Sequence, residues 1–449
     1  MPKLAAMSNT FDENRSAWWA AAAARGEYVP APALSKDLDC DVAVVGGGFT
    51  GTSTAYHMAR RFPEKRIVLC EARLLANGAS GRNAGLVLNW VNGVETKDLE
   101  IARRIYDVTR AGIDALATRI REQSLDVPFR RDGCIEIVTD PARAEAAARD
   151  AERLSSAGIP VRFVTGSELA ALGRFEGAVG ATFDPTAGQI DGVCLVRAMR
   201  PVLERLDVHV HEQTPVLGIE EGETITLTTP SARLRAKAIV LATNAYTPRL
   251  GYFRSGVVPL HSHLVATEPL APEAWEEIGW GRGLAGFSDD FDRIAYGSMT
   301  ARGELVFGGG SNAAYGYGFG NGTAYRGDPE RAIAAIEKTL RRYLPKTAKV
   351  RIAHRWTGPV ALTLSRVCTM GVQGRNRNVY FALGYSGHGI TLANLAGEVL
   401  TDIYSGDDAR WRDLPFFQQR LLYVPPEPFR WVGYHAYTAL TGRSPRRAL

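Results

Sequence analysis

Cysteine is scarce in this chain, and the five present stand far apart: Cys40, Cys70, Cys134, Cys194 and Cys368, with no C-x-x-C pair. That odd, scattered set argues against a disulfide framework, a zinc site and a redox-active dithiol. No metal site is expected, and a reducing cytoplasm fits. Long apolar runs are missing too. The stretch from Ala20 to Ala24 falls far short of the roughly 20 residues a membrane helix needs, so no transmembrane segment is expected. Residues Asp12, Glu13 and Arg15 near the start, with no apolar core and cleavage site, argue against a secretory signal. No Lys/Arg run is interleaved with aromatics, and a net charge of +5 is mild for 449 residues, so nucleic acid is not an expected partner. Hydrophobic residues at 45% against 22% charged are enough for a sizeable core, and the length exceeds what one core holds, which suggests two domains.

Glycine, by contrast, is concentrated. In Val42-Ala43-Val44-Val45-Gly46-Gly47-Gly48-Phe49-Thr50-Gly51, the residues Gly46, Gly48 and Gly51 form a G-x-G-x-x-G turn. The turn joins an apolar, β-branched strand to a segment of helical character, Phe49 to Arg61. Without side chains there, backbone N–H groups and a helix N-terminus can approach a pyrophosphate. Twenty residues past Gly51, Glu71 closes a second strand, Arg66 to Glu71, where its carboxylate can accept both hydroxyls of an adenosine ribose. Strand, turn, helix, strand and acid in this order predict a dinucleotide site.

Two later segments bear on which dinucleotide it is. The small-residue loop Gly78-Ala79-Ser80-Gly81-Arg82-Asn83-Ala84-Gly85 lets backbone pass close to a flat ring, although taken alone it reads as a surface connection. Far along the chain, a strand from Asn378 to Gly384 runs into Tyr385-Ser386-Gly387-His388-Gly389-Ile390-Thr391 and a helix, Leu392 to Tyr404. A second positive helix end suits the electron-rich N1/C2=O edge of a reduced isoalloxazine. A nicotinamide enzyme has no need of it, so a flavin is expected.

Four stretches occur in one order: VVGGGFTG, GASGRNAGLV, VLATNAYTP from Val240 to Pro248, and RWTGPVALT through GYSGHGITLANLAGE. On these the chain, from about Trp18 to Arg430, resembles the FAD-dependent amine and amino-acid oxidoreductases of the D-amino-acid oxidase superfamily. Within them it looks most like the γ-glutamylputrescine oxidoreductase-like branch. Pattern and resemblance together imply an α/β fold, with a Rossmann-like FAD-binding domain interleaved with a mainly antiparallel α+β substrate domain. The FAD-binding domain is expected from residues 36–95, 188–250 and 355–410, the substrate domain from 96–187 and 251–354, and extensions at 1–35 and 411–449. A short helix is expected over residues 10–25, with Trp18 and Trp19.

The resemblance assigns FAD to Gly46, Gly48, Phe49, Thr50 and Gly51 in the first turn and to Glu71, Ala72 and Arg73 at the ribose. It adds Ser80, Gly81, Arg82, Asn83, Ala84, Gly85 and Leu86 along the loop, with Val216 at the adenine and Thr243 and Asn244 in VLATNAYTP. Gly384, Gly387, His388, Gly389, Ile390 and Thr391 complete the set. Some relatives link flavin covalently through a histidine in the glycine-rich loop or a cysteine in the late segment. Here Arg82 and Asn83 stand in the first region, and Gly384-Tyr385-Ser386 holds no cysteine, so noncovalent FAD is expected.

Such an enzyme needs little acid–base machinery: a neutral amine lends its lone pair while a hydride leaves the adjacent carbon for the flavin. Amino-acid-specific relatives anchor the substrate carboxylate with an arginine in a G-L-R-P motif. The corresponding Gly358-Pro359-Val360-Ala361 puts Val360 in that place, which points to an amine substrate without an obligatory α-carboxylate, although Arg355 and Arg366 lie near enough in sequence to substitute. Expected catalytic residues are His388 in the late turn and His261 and His263, which alternate on one face of a strand from Val257 to Glu268. Trp90, Tyr317 and Trp356 are candidate walls of a substrate tunnel. The stretch Gly308 to Gly322, with its seven glycines, is either a mobile loop or a lid. The aromatic, proline-broken segment Phe416 to Leu440 is expected to pack on a domain face.

The expected activity is oxidation of a primary or secondary amine, polyamine-like or another ω-substituted alkylamine, to an imine that hydrolyses to a carbonyl. Electrons pass to O2 or another acceptor, and the lack of lysine from Gly256 to Glu337 tilts towards a dehydrogenase or slow oxidase. An amino-acid or opine dehydrogenase is the enzymatic alternative. A catalytically silent flavin subunit of a larger complex is the alternative outside enzymes.

Overall fold

The computed structural model describes residues 28–94, 96–320 and 328–442. The helix expected over residues 10–25 lies outside the described residues. Apolar β-branched runs supply five parallel strands in the spatial order Val208–His211, Ile67–Cys70, Leu38–Val45, Arg233–Leu241 and Val379–Leu383. The long Arg233–Leu241 strand shares one edge: residues Arg233 to Ala236 pair antiparallel with Ile225–Thr228, and Ile239 to Leu241 pair with Val379 to Phe381. Gly218–Glu220 and Thr369–Gln373 extend the sheet to eight strands. Because the five central strands are parallel, Gly46, Glu71, Ala242 and Gly384 emerge together at their carboxyl ends, where such sheets bind ligands. Helices Phe49–Arg61 and Ile390–Ser405 pack closely there, and the Ser53 hydroxyl donates to the Asn394 carbonyl at 2.5 Å.

The second sheet has nine strands, antiparallel but for the pairing of Gly286–Asp289 with Cys134–Val138. Next to one edge runs Val258–Thr267, which pairs along nearly its whole length with the edge strand Ile352–Leu362. This corrects the expected boundary at residue 355, which would fall inside one continuous ladder. The whole Ile352–Leu362 strand belongs to the second sheet. Helix Pro329–Tyr343 presents Ile333, Ile336, Leu340 and Tyr343 to a core that includes Val265, Phe287 and Phe307. A three-stranded sheet of Leu86–Val87, Gly188–Ile190 and Phe129–Arg130 sits at the junction.

Candidate active site

Between the two large sheets lies a cavity of about 1180 Å³. Its first end is built by the glycine turn. Gly46 has φ +107°, and a Cβ there would stand 2.8 Å from the Ala242 carbonyl oxygen, so the turn lies flush against the neighbouring strand. Gly48 has no side chain to cap the helix that begins at Phe49, and Gly47, Gly48, Phe49 and Thr50 line the cavity; the Phe49 amide donates to Ser80 Oγ at 2.9 Å. Glu71 accepts from the Gly47 amide at 2.7 Å through Oε2 and from the Arg73 amide at 2.9 Å through Oε1. Burial raises its carboxyl above the usual range, and these amides offset that rise only in part. Each oxygen keeps a lone pair for a further donor such as a ribose hydroxyl. Val216, Thr243, Asn244 and Leu250 line the same end.

The small-residue loop is fastened rather than free. Arg82, buried, donates through Nε to the Asn77 carbonyl at 2.8 Å and through Nη1 to the Thr357 carbonyl at 3.0 Å. Asn83 donates to the carbonyls of Ala79 and Ser80 and accepts from the Gly85 amide at 2.7 Å. Across the junction, Ser298 Oγ donates to the Ala84 carbonyl and Trp356 Nε1 to the Arg82 carbonyl. The late turn is tied just as firmly: the Gly384 amide donates to Asn244 Oδ1 at 3.0 Å, and Asn92 Nδ2 to the Ser386 carbonyl at 2.8 Å. His388 lines the cavity beside the uncapped N-terminus of Ile390–Ser405.

Of the residues expected to hold FAD, Gly46, Gly48, Phe49, Thr50, Glu71, Ala72, Arg73, Ser80, Arg82, Asn83, Ala84, Leu86, Val216, Thr243, Asn244, Gly387, His388, Gly389 and Ile390 all face this cavity. Gly51, Gly81, Gly85, Gly384 and Thr391 do not line it. They shape the backbone behind it; the Thr391 hydroxyl, for instance, donates to the Leu88 carbonyl at 2.6 Å. Amides of a helix N-terminus at a glycine turn, a carboxylate at a strand end and a second uncapped helix end fit FAD from ribose to flavin ring.

Several expected residues are displaced in the substrate half. The Val258–Thr267 strand is indeed a cavity wall, but it presents Val258, Leu260, Ser262 and Leu264. His261 and His263 alternate to the opposite face, shared with Val265 of the second core, and burial lowers the His263 imidazole to about 4. Trp356 is fully buried as a strut for the loop. Trp90 spends its Nε1 on the Val94 carbonyl at 3.1 Å, and Tyr317 bonds Glu427 and packs on Tyr434; neither lines the cavity. The walls are instead Tyr296, Tyr315, Val360 and residues of a helix at Phe429–Thr441, whose Phe429, Tyr434 and Tyr437 reach the cavity. That helix carries no sequence signal tying it to the site, because its contacts are with residues more than a hundred positions away. Ser262 Oγ and Tyr296 OH stand 3.0 Å apart, and burial pushes the phenol up to about 12, so the pair is neutral.

A dinucleotide-binding parallel sheet, a mostly antiparallel second sheet and a cavity between their facing surfaces define a two-domain flavoprotein oxidoreductase. Residues 41–403 match the family described as DAO, FAD dependent oxidoreductase, and the chain belongs to that family. FAD is its cofactor. The γ-glutamylputrescine oxidoreductase of Escherichia coli is 28% identical over 92% of this chain and 96% of its own length. A probable oxidoreductase OrdL of Haemophilus influenzae is 25% identical over 84% and 86%. Among solved structures, glycine oxidase from Geobacillus kaustophilus superposes with a TM-score of 0.73, at 22% identity, over 86% of this chain and all of its own. L-proline dehydrogenase from P. horikoshii gives 0.67 at 19% identity, over 86% and 96%. Among the described residues, no helix is long and apolar enough to cross a membrane.

Proposed function

We propose that this chain oxidises a primary or secondary amine, polyamine-like or another ω-substituted alkylamine, to an imine that hydrolyses to a carbonyl product. Val360 carries the proposal. It lines the cavity, in sequence it stands where the resembled amino-acid enzymes carry their carboxylate-binding arginine, and valine offers no bidentate pair. Neither neighbouring arginine takes over freely. Arg355 points away to Glu337 at 3.1 Å and does not line the cavity, while Arg366 lines it but is paired with Asp292 at 3.2 Å. An α-carboxylate buried beside Val360 would lack a partner, at a cost of several kcal/mol.

Bound FAD supplies the hydride acceptor. The chain's own residues position the substrate and keep water out. Val258, Leu260, Leu264 and Val360 make an apolar wall, and such surroundings favour the uncharged amine over the ammonium ion. The neutral Ser262–Tyr296 pair adds a polar anchor without charge. The name of the Escherichia coli relative, a putrescine derivative's oxidoreductase, supports the reading. Electrons leave to O2 or another acceptor, and five free cysteines support a cytoplasmic setting.

Anaerobic stopped-flow reduction with matched pairs, an amine and the α-amino acid of the same side chain, tests the proposal. Amines should be at least about a hundredfold more efficient, roughly 2.7 kcal/mol of transition-state discrimination. Equal or reversed efficiencies would replace it with the amino-acid or opine dehydrogenase reading.

A further inference from the structure

The segment Asp289-Asp290-Phe291-Asp292-Arg293, between the strands Gly286–Asp289 and Ala295–Met299, carries three acids and one base. All three acids are committed. Asp289 accepts from the amides of Phe291 and Ala295 and, through Oδ2, from the Tyr343 hydroxyl at 2.7 Å. Asp290 is ion-paired with Arg143, and Asp292 with Arg366. Arg293 is left without an acid among the described residues. It lines the cavity and is only 8% exposed.

Its side chain is nonetheless held in place. Nε donates to Asn312 Oδ1 at 2.8 Å, Asn312 Nδ2 donates to the Thr438 carbonyl at 3.0 Å, and the guanidinium lies 5.5 Å from the Tyr437 ring centroid. Nη2 is buried with no hydrogen-bond partner among the described residues. A guanidinium keeps its charge at any ordinary pH, and an orphaned buried donor on it is costly unless a ligand completes it. The lining as a whole is short of acids: Glu71 and Asp292 face six arginines.

We propose that Arg293 is an anion-binding subsite that receives a carboxylate at the end of the substrate remote from the reacting amine. The substrate class is then an ω-aminocarboxylate, or an ω-amine joined through an acyl chain to a carboxylate; this rests on the amine reading above. A carboxylate next to the amine meets Val360, whereas a distant one meets a preorganised guanidinium. Arg293 sits in the bend just before the strand Ala295–Met299, and two strands of the sheet separate that strand from Ile352–Leu362, which carries Val360, so the linker is several methylenes long.

The test uses holoenzyme and needs no turnover in its first arm. Glutarate and its uncharged diamide are titrated against the flavin absorption spectrum of wild type, Arg293→Gln and Arg293→Lys, with FAD content as the check on folding. Wild type should bind glutarate at least tenfold tighter than the diamide, Arg293→Gln should lose that preference, and Arg293→Lys should restore part of it. In the second arm, the kcat/KM ratio of an ω-aminocarboxylate to the alkylamine of equal length should fall at least tenfold in Arg293→Gln. No glutarate preference in wild type, or one that survives in Arg293→Gln, overturns the subsite. Arg293-dependent glutarate binding without reduction by any amine supports the subsite and overturns the amine reading instead.

Discussion

Replacing Gly46 by alanine should cost FAD affinity far more than fold. The backbone there sits at φ +107°, a region that costs a residue with a side chain about 1–3 kcal/mol. The new Cβ would also meet the Ala242 carbonyl oxygen at 2.8 Å and its carbon at 3.0 Å, both backbone atoms that cannot swing aside. The turn escapes by moving away from Ala242, and the adjacent Gly47 amide then leaves Glu71 Oε2, a charged hydrogen bond worth about 1.5–3 kcal/mol. Without cofactor the turn is free to relax; with FAD bound it must return. Most of the combined cost of about 2.5–6 kcal/mol therefore falls on binding and raises Kd by roughly two to four orders of magnitude. Titration of apoprotein with FAD, followed by protein fluorescence, measures it. Gly218→Ala is the control, since a Cβ there meets nothing within 4 Å. If Gly46→Ala bound FAD within threefold of wild type, this turn would not be the cofactor's cradle.

Two further outcomes follow from buried histidines and helix ends. His388→Ala should lower the midpoint potential of bound FAD by about 20–40 mV, roughly 1–2 kcal/mol over two electrons, because positive potential beside the Ile390–Ser405 N-terminus is reduced; dye-coupled reductive titration reads it, and an unchanged potential assigns His388 to packing. His263, lowered by burial to about 4 against 6.5 unfolded, stays neutral in the fold while the unfolded chain takes up a proton. Its contribution is whole above about pH 6.5 and is lost as pH falls to 4, by about 1.4 kcal/mol per unit and about 3 kcal/mol in all. Urea unfolding at pH 7, 5.5 and 4 should show a shallower acid slope in His263→Gln, and an unaltered slope would contradict the buried neutral imidazole. His57, lowered to about 3 chiefly by burial and then by Arg119, acts in the same direction and should remain in that variant.

What could be read from the chain was what is constrained locally. A glycine turn between strand and helix is fixed by the backbone it must allow, so Gly46 to Gly51, Glu71 and the late turn around His388 were visible as short patterns. Alternation told that His261 and His263 share a face but not which face looks inwards; only the packing of Val265 against Ile333 and Ile336 settles that. Trp90 and Trp356 had the right bulk for a wall, yet their indole nitrogens are taken up by nearby carbonyls, a matter of tertiary position. Arg293 carried no signal at all, since three acids precede it and sequence cannot show that each has another partner. The Phe429–Thr441 helix reaches the cavity through contacts no local pattern encodes.

The late position of the cavity's last parts has a bearing on how the protein is made. The glycine turn before Phe49 leaves the ribosome well ahead of the strand Val379–Leu383, the His388 turn and the roofing helix Phe429–Thr441, which lie more than about 300 residues further on. At ~5–20 residues per second, roughly 20–75 s of synthesis separates the glycine turn from the closing helix. Until then the parallel sheet lacks an edge strand, and its half-built crevice is open to water and to chaperones. Flavin loading is thereby placed after the Phe429–Thr441 helix has emerged, and cellular FAD supply should govern how much of the newly made protein survives in folded form.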